Sequence, residues 1–135
     1  MNDRYLYRAK RKNWRELPKE MWWVEGYLYG IWERRYILWG MTNDVPNMVE
    51  VDPSTICQCT GLKDKNDKDI YEGDILRKSG YWDVRVEFER GQFCIKGADI
   101  VQYLNNTIDD SIRNFPVDEY EVIGNIFDNA ELLEK

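Results

Sequence analysis

Thr60-Gly61-Leu62-Lys63-Asp64-Lys65-Asn66-Asp67-Lys68-Asp69-Ile70-Tyr71-Glu72-Gly73-Asp74-Ile75-Leu76 is polar and carries two turns in close succession, and its reading decides the fold. From Lys63 to Ile70 the charges surround Asn66-Asp67, two residue types that tolerate the positive φ of a tight hairpin turn. This predicts an exposed hairpin. Asp67 is a poorer turn residue than glycine, by a fraction of the roughly 1–2 kcal/mol that left-handed backbone costs a non-glycine residue. In the next block Gly73 supplies a backbone conformation closed to other residues and feeds a strand that starts at Asp74. Gly61, Asn66, Asp67, Gly73 and Asp74 are therefore read as architecture, not as a site.

Strands follow on both sides. Trp82, Val84, Val86 and Phe88 alternate with Asp83, Arg85, Glu87 and Glu89, which predicts a strand with one core face and one wet face. Arg90-Gly91 turns it into an antiparallel partner, Phe93 to Lys96. Upstream, Tyr5 to Ala9 predicts a first strand, followed by a basic turn through Lys10, Arg11 and Lys12. Trp22, Val24, Leu28 and Trp32 then fall on one strand face, and Trp23, Glu25, Tyr27, Tyr29 and Ile31 on the other. Gly26 and Gly30 bend this strand, and Arg35 to Trp39 returns as its hairpin mate. Pro116 precedes a last strand, Tyr120 to Phe127, and Asp128 or Asn129 can cap a short terminal helix over Glu131, Leu132 and Leu133. The segment 98–113 reads as a long loop with a helical turn.

Short antiparallel strands joined by tight turns predict a mainly β fold: a small, partly open antiparallel barrel with an N-terminal strand extension and a short C-terminal helix. At 135 residues, one compact domain is expected over 1–135, with N-terminal strands in 1–59 and the barrel and its signature hairpin in 60–135.

The blocks Tyr7-Arg8-Ala9-Lys10-Arg11, Trp23 to Leu28, Val51 to Thr55, Thr60 to Leu76, and Val122 to Phe127 with Glu131-Leu132-Leu133 stand in an order that resembles the YopX family. These are small proteins of bacteriophages and prophages with no assigned biochemical activity. Two departures stand out, for the family usually has Asn-Gly where this chain has Asn66-Asp67, and commonly Asn-Pro where it has Asn129-Ala130. The resemblance implies a barrel of the Src-homology-3-like roll type from about residue 60 onward.

Composition narrows the function. The chain has no histidine, which removes the commonest general acid or base and every Ser-His or Cys-His nucleophile pair. No catalytic residue, cofactor or metal site is expected. Cys57, Cys59 and Cys94 read as reduced, buried thiols. The Asp64 to Asp69 loop fails as a calcium loop, since Lys68 and Asp69 stand where an oxygen ligand and a glycine are needed. No apolar run reaches the roughly 20 residues that cross a bilayer, so a cytoplasmic protein without membrane contact is expected. Basic residues crowd the start and acidic ones the end, with a net charge of −6. Such blocks support head-to-tail self-association or are simply solvated faces.

Two binding readings follow. In the first, a non-enzymatic interaction module binds an unknown host or phage protein, or its own copies, through Trp23, Tyr27, Tyr29 and Trp39; the bland alternative places these rings in the core. In the second, Arg8, Lys10, Arg11, Lys12 and Trp14, with Tyr5 and Tyr7, form an aromatic and basic platform for nucleic acid, against which the overall acidity stands.

Overall fold

The computed structural model describes residues 5–89, 91–97, 101–103 and 116–129. It is mainly β, in antiparallel sheets. Two compact units divide between Cys59 and Thr60.

In the first unit the strands are β1 (Tyr7–Lys10), β2 (Trp23–Ile31), β3 (Arg34–Thr42), β4 (Val45–Glu50) and the start of β5 (Cys57–Lys63), in sheet order β4-β3-β2-β1-β5. Alternation along β2 is as expected: Val24 is buried and Leu28 half-buried, while Glu25, Tyr27 and Tyr29 are exposed. Ala9, Val24, Ile37 and Val51 form the core on the inner face, flanked by Tyr7, Leu28, Val49 and Ile56. Gly26 is there because β3 comes too close for a side chain: an added Cβ would lie 2.1 Å from the Leu38 carbonyl oxygen. Just beyond, β3 shifts register between Leu38 and Gly40, leaving Trp39 as the extra residue of a bulge. Asn43 and Asp44, both at positive φ, make the two-residue turn from β3 to β4. Pro46 sits on the edge strand, opposite Met41, where a missing N–H costs no ladder bond.

Three expectations are corrected here. The first strand runs from Tyr7 to Lys10, so Lys10 belongs to β1 and is buried, not part of a basic turn. Trp32 lies in the β2–β3 turn at positive φ and is 91% exposed, so it is not on the core face. The strand predicted from Trp82 begins only at Val84; Asp83 pairs with Arg77 at 2.9 Å, Trp82 is exposed, and Phe88 packs edge-on against Phe93 at the strand's far end.

The second unit holds the end of β5, β6 (Asp69–Tyr71), β7 (Asp74–Arg77), β8 (Val84–Glu89), β9 (Gln92–Lys96), β10 (Val101–Tyr103) and β11 (Glu121–Asn125), with β7 to β11 in the sheet order β10-β9-β8-β7-β11. Its core gathers Ile70, Leu76, Val84, Val86, Phe93, Ile95, Val117 and Tyr120. Among the described residues the sheets do not close into the expected barrel. Residues 130–135, where the terminal helix was expected, and most of 98–113 lie outside the described residues.

The signature stretch folds as its turn chemistry requires. The Asp67 N–H donates to the Asp64 carbonyl at 3.0 Å and the Asp64 N–H to the Lys68 carbonyl at 2.9 Å. Within this loop Asp67 carries the positive φ, 64°, and Asn66 does not, so the loop is one residue longer than a two-residue turn. Replacing Asp67 with glycine removes a left-handed non-glycine residue; Asp67→Gly is expected to stabilise the protein by about 1 kcal/mol in urea denaturation. An unchanged midpoint would show that the aspartate offsets its own strain.

Candidate protein-binding face

The outer face of the first sheet is set by register. Arg8 lies opposite Glu25 and Lys10 opposite Trp23; Tyr27 lies opposite Leu38, Tyr29 opposite Tyr36 and Ile31 opposite Arg34. Met48 on β4 pairs with Leu38. Cross-strand partners share a face, so these residues form successive rows across β1 to β4.

One half of this face is covered. Residues 11–22 fold back through two short 3₁₀ turns, Trp14–Glu16 and Lys19–Met21. They bring Trp14 and Trp22 over Lys10, whose Nζ lies 3.9 Å from the Trp14 ring centre, 4.4 Å from Trp22 and 5.5 Å from Trp23. The two upper rings meet edge to face at 4.9 Å. Anchoring is polar: Trp14 Nε1 donates to Asp52 and Trp22 Nε1 to the Leu17 carbonyl. Burial pushes the Asp52 carboxyl up, but bonds from Ser54 and Trp14 outweigh it and hold the group below its ordinary range. Lys10 is 3% exposed, and Arg8, also buried, stacks 5.0 Å from Trp23. A cation over a tryptophan face is attracted by the ring quadrupole, more strongly once desolvated.

Among the described residues no such cover lies over the other half. Tyr27, Tyr29, Ile31 and Met48 are each 43–47% exposed, with half-buried Tyr36 and Leu38 between them. Trp39 at the bulge is exposed to the same degree. Of the four aromatic residues named from sequence, Tyr27, Tyr29 and Trp39 are thus at the surface. Trp23 is half-buried and engaged with Arg8 and Lys10.

The basic residues named for nucleic acid are placed differently from the expected platform. Arg8 and Lys10 are buried beneath tryptophans, Arg11 donates to the Met21 carbonyl, and Lys12 pairs with Glu50 at 3.0 Å. Trp14 is the lid over Lys10, not an open stacking surface.

The signature residues hold backbone together. Thr60 Oγ1 donates to the Ile70 carbonyl and accepts from the Leu62 N–H, framing Gly61 at φ 84°. Gly73, at φ 89°, donates to the Val86 carbonyl and accepts from Ile126. Asp74, fully buried, accepts the Tyr71 N–H at 2.8 Å. A scan against family models matches residues 7–134 to the YopX protein family. The chain belongs to the YopX family.

This YopX chain is also similar in fold to the crystal structure of protein EF1440 from Enterococcus faecalis, with a TM-score of 0.52 and 23% identity over 94% of this chain and 96% of that one. No curated protein matches it.

Other chemistry is sparse. Cys57, Cys59 and Cys94 are buried thiols outside any disulfide among the described residues, and burial pushes the Cys94 thiol up, away from reactivity. Among the described residues no three His, Cys, Asp or Glu side chains converge closely enough to hold a metal ion, and no helix is long and apolar enough to cross a membrane. A feature missed in the sequence is the loop between β7 and β8, where Tyr81 and Trp82 are 61% and 70% exposed. Lys78 lies 4.6 Å over the Tyr81 ring and pairs with Glu119. The excessive regularity of the Trp82 to Glu89 alternation hid it.

Proposed function

We propose that this YopX-family chain is a non-enzymatic, phage- or prophage-encoded protein-interaction module of the bacterial cytoplasm. Its contact surface is the uncovered half of the outer sheet face, and its partner is a host protein, a phage protein or another copy of the chain. The observation that carries this reading is the contrast within one face: tryptophans cover the Lys10 end, while Tyr27, Tyr29, Ile31 and Met48 stay about half exposed as neighbours. Contiguous exposed apolar surface of this kind marks interaction sites more than it marks ordinary surface. Tyrosine suits the task because it buries large area at small entropic cost. In this reading residues 60 onward serve as scaffold, in the Src-homology-3-like roll implied by the family resemblance. Nucleic-acid binding is the weaker reading, since burial of Arg8 and Lys10 takes two cations from the platform.

The test is capture of partners from nuclease-treated host lysate by the wild-type protein and by Tyr27→Ala/Tyr29→Ala. We expect the double variant to lose capture at least tenfold while keeping the wild-type circular-dichroism spectrum, because truncating interface aromatics typically costs about 2 kcal/mol each. Undiminished capture by the folded variant would contradict the reading.

A further inference from the structure

Independently of the tyrosine face, we infer that the β3–β4 hairpin is a dimerisation arm, whose open edge at Met41 pairs antiparallel with the same edge of a second copy of this chain. The β2–β3 ladder stops at Tyr27 opposite Leu38. After the bulge at Trp39, β3 and β4 run on together, with Gly40 opposite Asn47, Met41 opposite Pro46 and Thr42 opposite Val45. Among the described residues no strand pairs with Gly40 to Thr42 on the β2 side. The arm is well formed, for Asn47 Nδ2 donates across it to Thr42 Oγ1 at 3.1 Å, yet Met41 and Val45 are 65% and 61% exposed. A two-stranded ribbon without further pairing is marginal in water.

Turn chemistry fixes which groups face the open edge. Asn43 and Asp44, both at positive φ, make a two-residue turn that Thr42 and Val45 close by a backbone hydrogen bond. Bonded and non-bonded pairs alternate along an antiparallel ladder, so the next pair, Met41 and Pro46, is non-bonded. That position suits Pro46, which has no N–H to donate. The Met41 N–H and C=O therefore point away from β4, toward the open side, as one donor and one acceptor. An extended strand satisfies both at once.

The two edges of the arm differ. On β4 the outward edge is blunted by Pro46, whereas β3 carries neither charge nor proline from Trp39 to Thr42. A two-fold axis normal to the sheet at Met41 sets Met41 of each copy against its counterpart, with two reciprocal N–H to C=O bonds, and Gly40 against Thr42 on either side. The one charge of the hairpin, Asp44, then lies about 20 Å from its counterpart, six residues of strand away. Self-pairing thus brings no like charges together. It produces a four-stranded sheet, β4-β3-β3-β4, with Pro46 on both outer edges, so addition stops at two copies.

Sedimentation equilibrium from about 20 µM to about 1 mM tests this, a range suited to two backbone bonds and a short row of side chains, well under the roughly 800 Å² per partner of a standard interface. Wild type is expected to move from monomer to dimer across it. Met41→Lys and Met41→Glu should each weaken the dimer about tenfold or more by setting like charges opposite, and mixing the two in equal amounts should restore it. Val45→Lys, at a similarly exposed position on β4, should dimerise like wild type, as should Tyr27→Ala/Tyr29→Ala. Circular dichroism checks that every variant keeps its fold. A monomeric wild type, a dimer indifferent to Met41→Lys, or a charge block that mixing does not relieve would each overturn the inference. A dimer lost in the tyrosine variant but kept in Met41→Lys would also overturn it, and would leave the contact reading of the sheet face standing.

Discussion

Asp64→Ala is expected to cost about 4 kcal/mol and to release the hairpin and β11 together. Asp64 is 4% exposed and spends both carboxylate oxygens on backbone: Oδ1 accepts the N–H groups of Asn66 at 2.8 Å and Lys68 at 2.9 Å, and Oδ2 accepts that of Val122 at 2.9 Å. Removing it orphans three donors, each worth roughly 1–3 kcal/mol if left buried, with partial relief where water can enter. Asp64→Asn should cost less, about 2 kcal/mol, because the amide oxygen can keep the turn while its NH₂ faces the Val122 N–H, donor against donor. Amide exchange separates the cases: Ala should deprotect both the loop and Val122, Asn mainly Val122. Full protection at Val122 in both variants would contradict this role.

The same residue sets an acid limb. Burial raises the Asp64 carboxyl, but the three backbone N–H bonds together outweigh it and hold the group below the ordinary carboxylate range. A lowered folded value means the stabilisation is fully present above the unfolded carboxylate pKa and is lost as pH falls from there through the folded value. Wild type should therefore lose stability on acidification through this window more steeply than Asp64→Asn.

Gly26→Ala is expected to destabilise the first unit by about 3 kcal/mol or more, since its Cβ would meet the Leu38 carbonyl oxygen at 2.1 Å and carbon at 2.8 Å, and backbone has little room to yield. Gly80→Ala is the control: nothing lies within 4 Å of its added Cβ, and the cost is only the strain of φ 84°, about 1 kcal/mol. Five of the six tryptophans precede residue 60, so tryptophan fluorescence in urea reads mainly the first unit. Equal midpoints for the two variants would show that β3 can move away from Gly26 freely.

What could be read from the chain is what is decided locally. The turn at Gly73, the strand start at Asp74 and the alternation of β2 depend on residues within a few positions, and all three appear as expected. What could not be read depends on distant chain. Lys10 looks like a turn lysine until residues 11–22 fold back and enclose it with tryptophans. Trp39 continues the strand pattern of Ile37 by count, yet the bulge after Leu38 breaks that count. Trp82 matches the period of β8 but stands outside the strand, exposed in the β7–β8 loop. The strand β4 was hidden by Pro46, which only an edge position tolerates. For the candidate face, alternation set Tyr27 and Tyr29 on the side opposite Val24 and Leu28, but whether that side was core or surface was not a local question.

The most direct test of the account is site-specific photo-crosslinking in the host cell from position 29, on the uncovered sheet face, compared with position 81, on the exposed β7–β8 loop. The account predicts a discrete protein adduct from position 29 and none from position 81. Nucleic acid captured at position 29, or adducts confined to position 81, would contradict it.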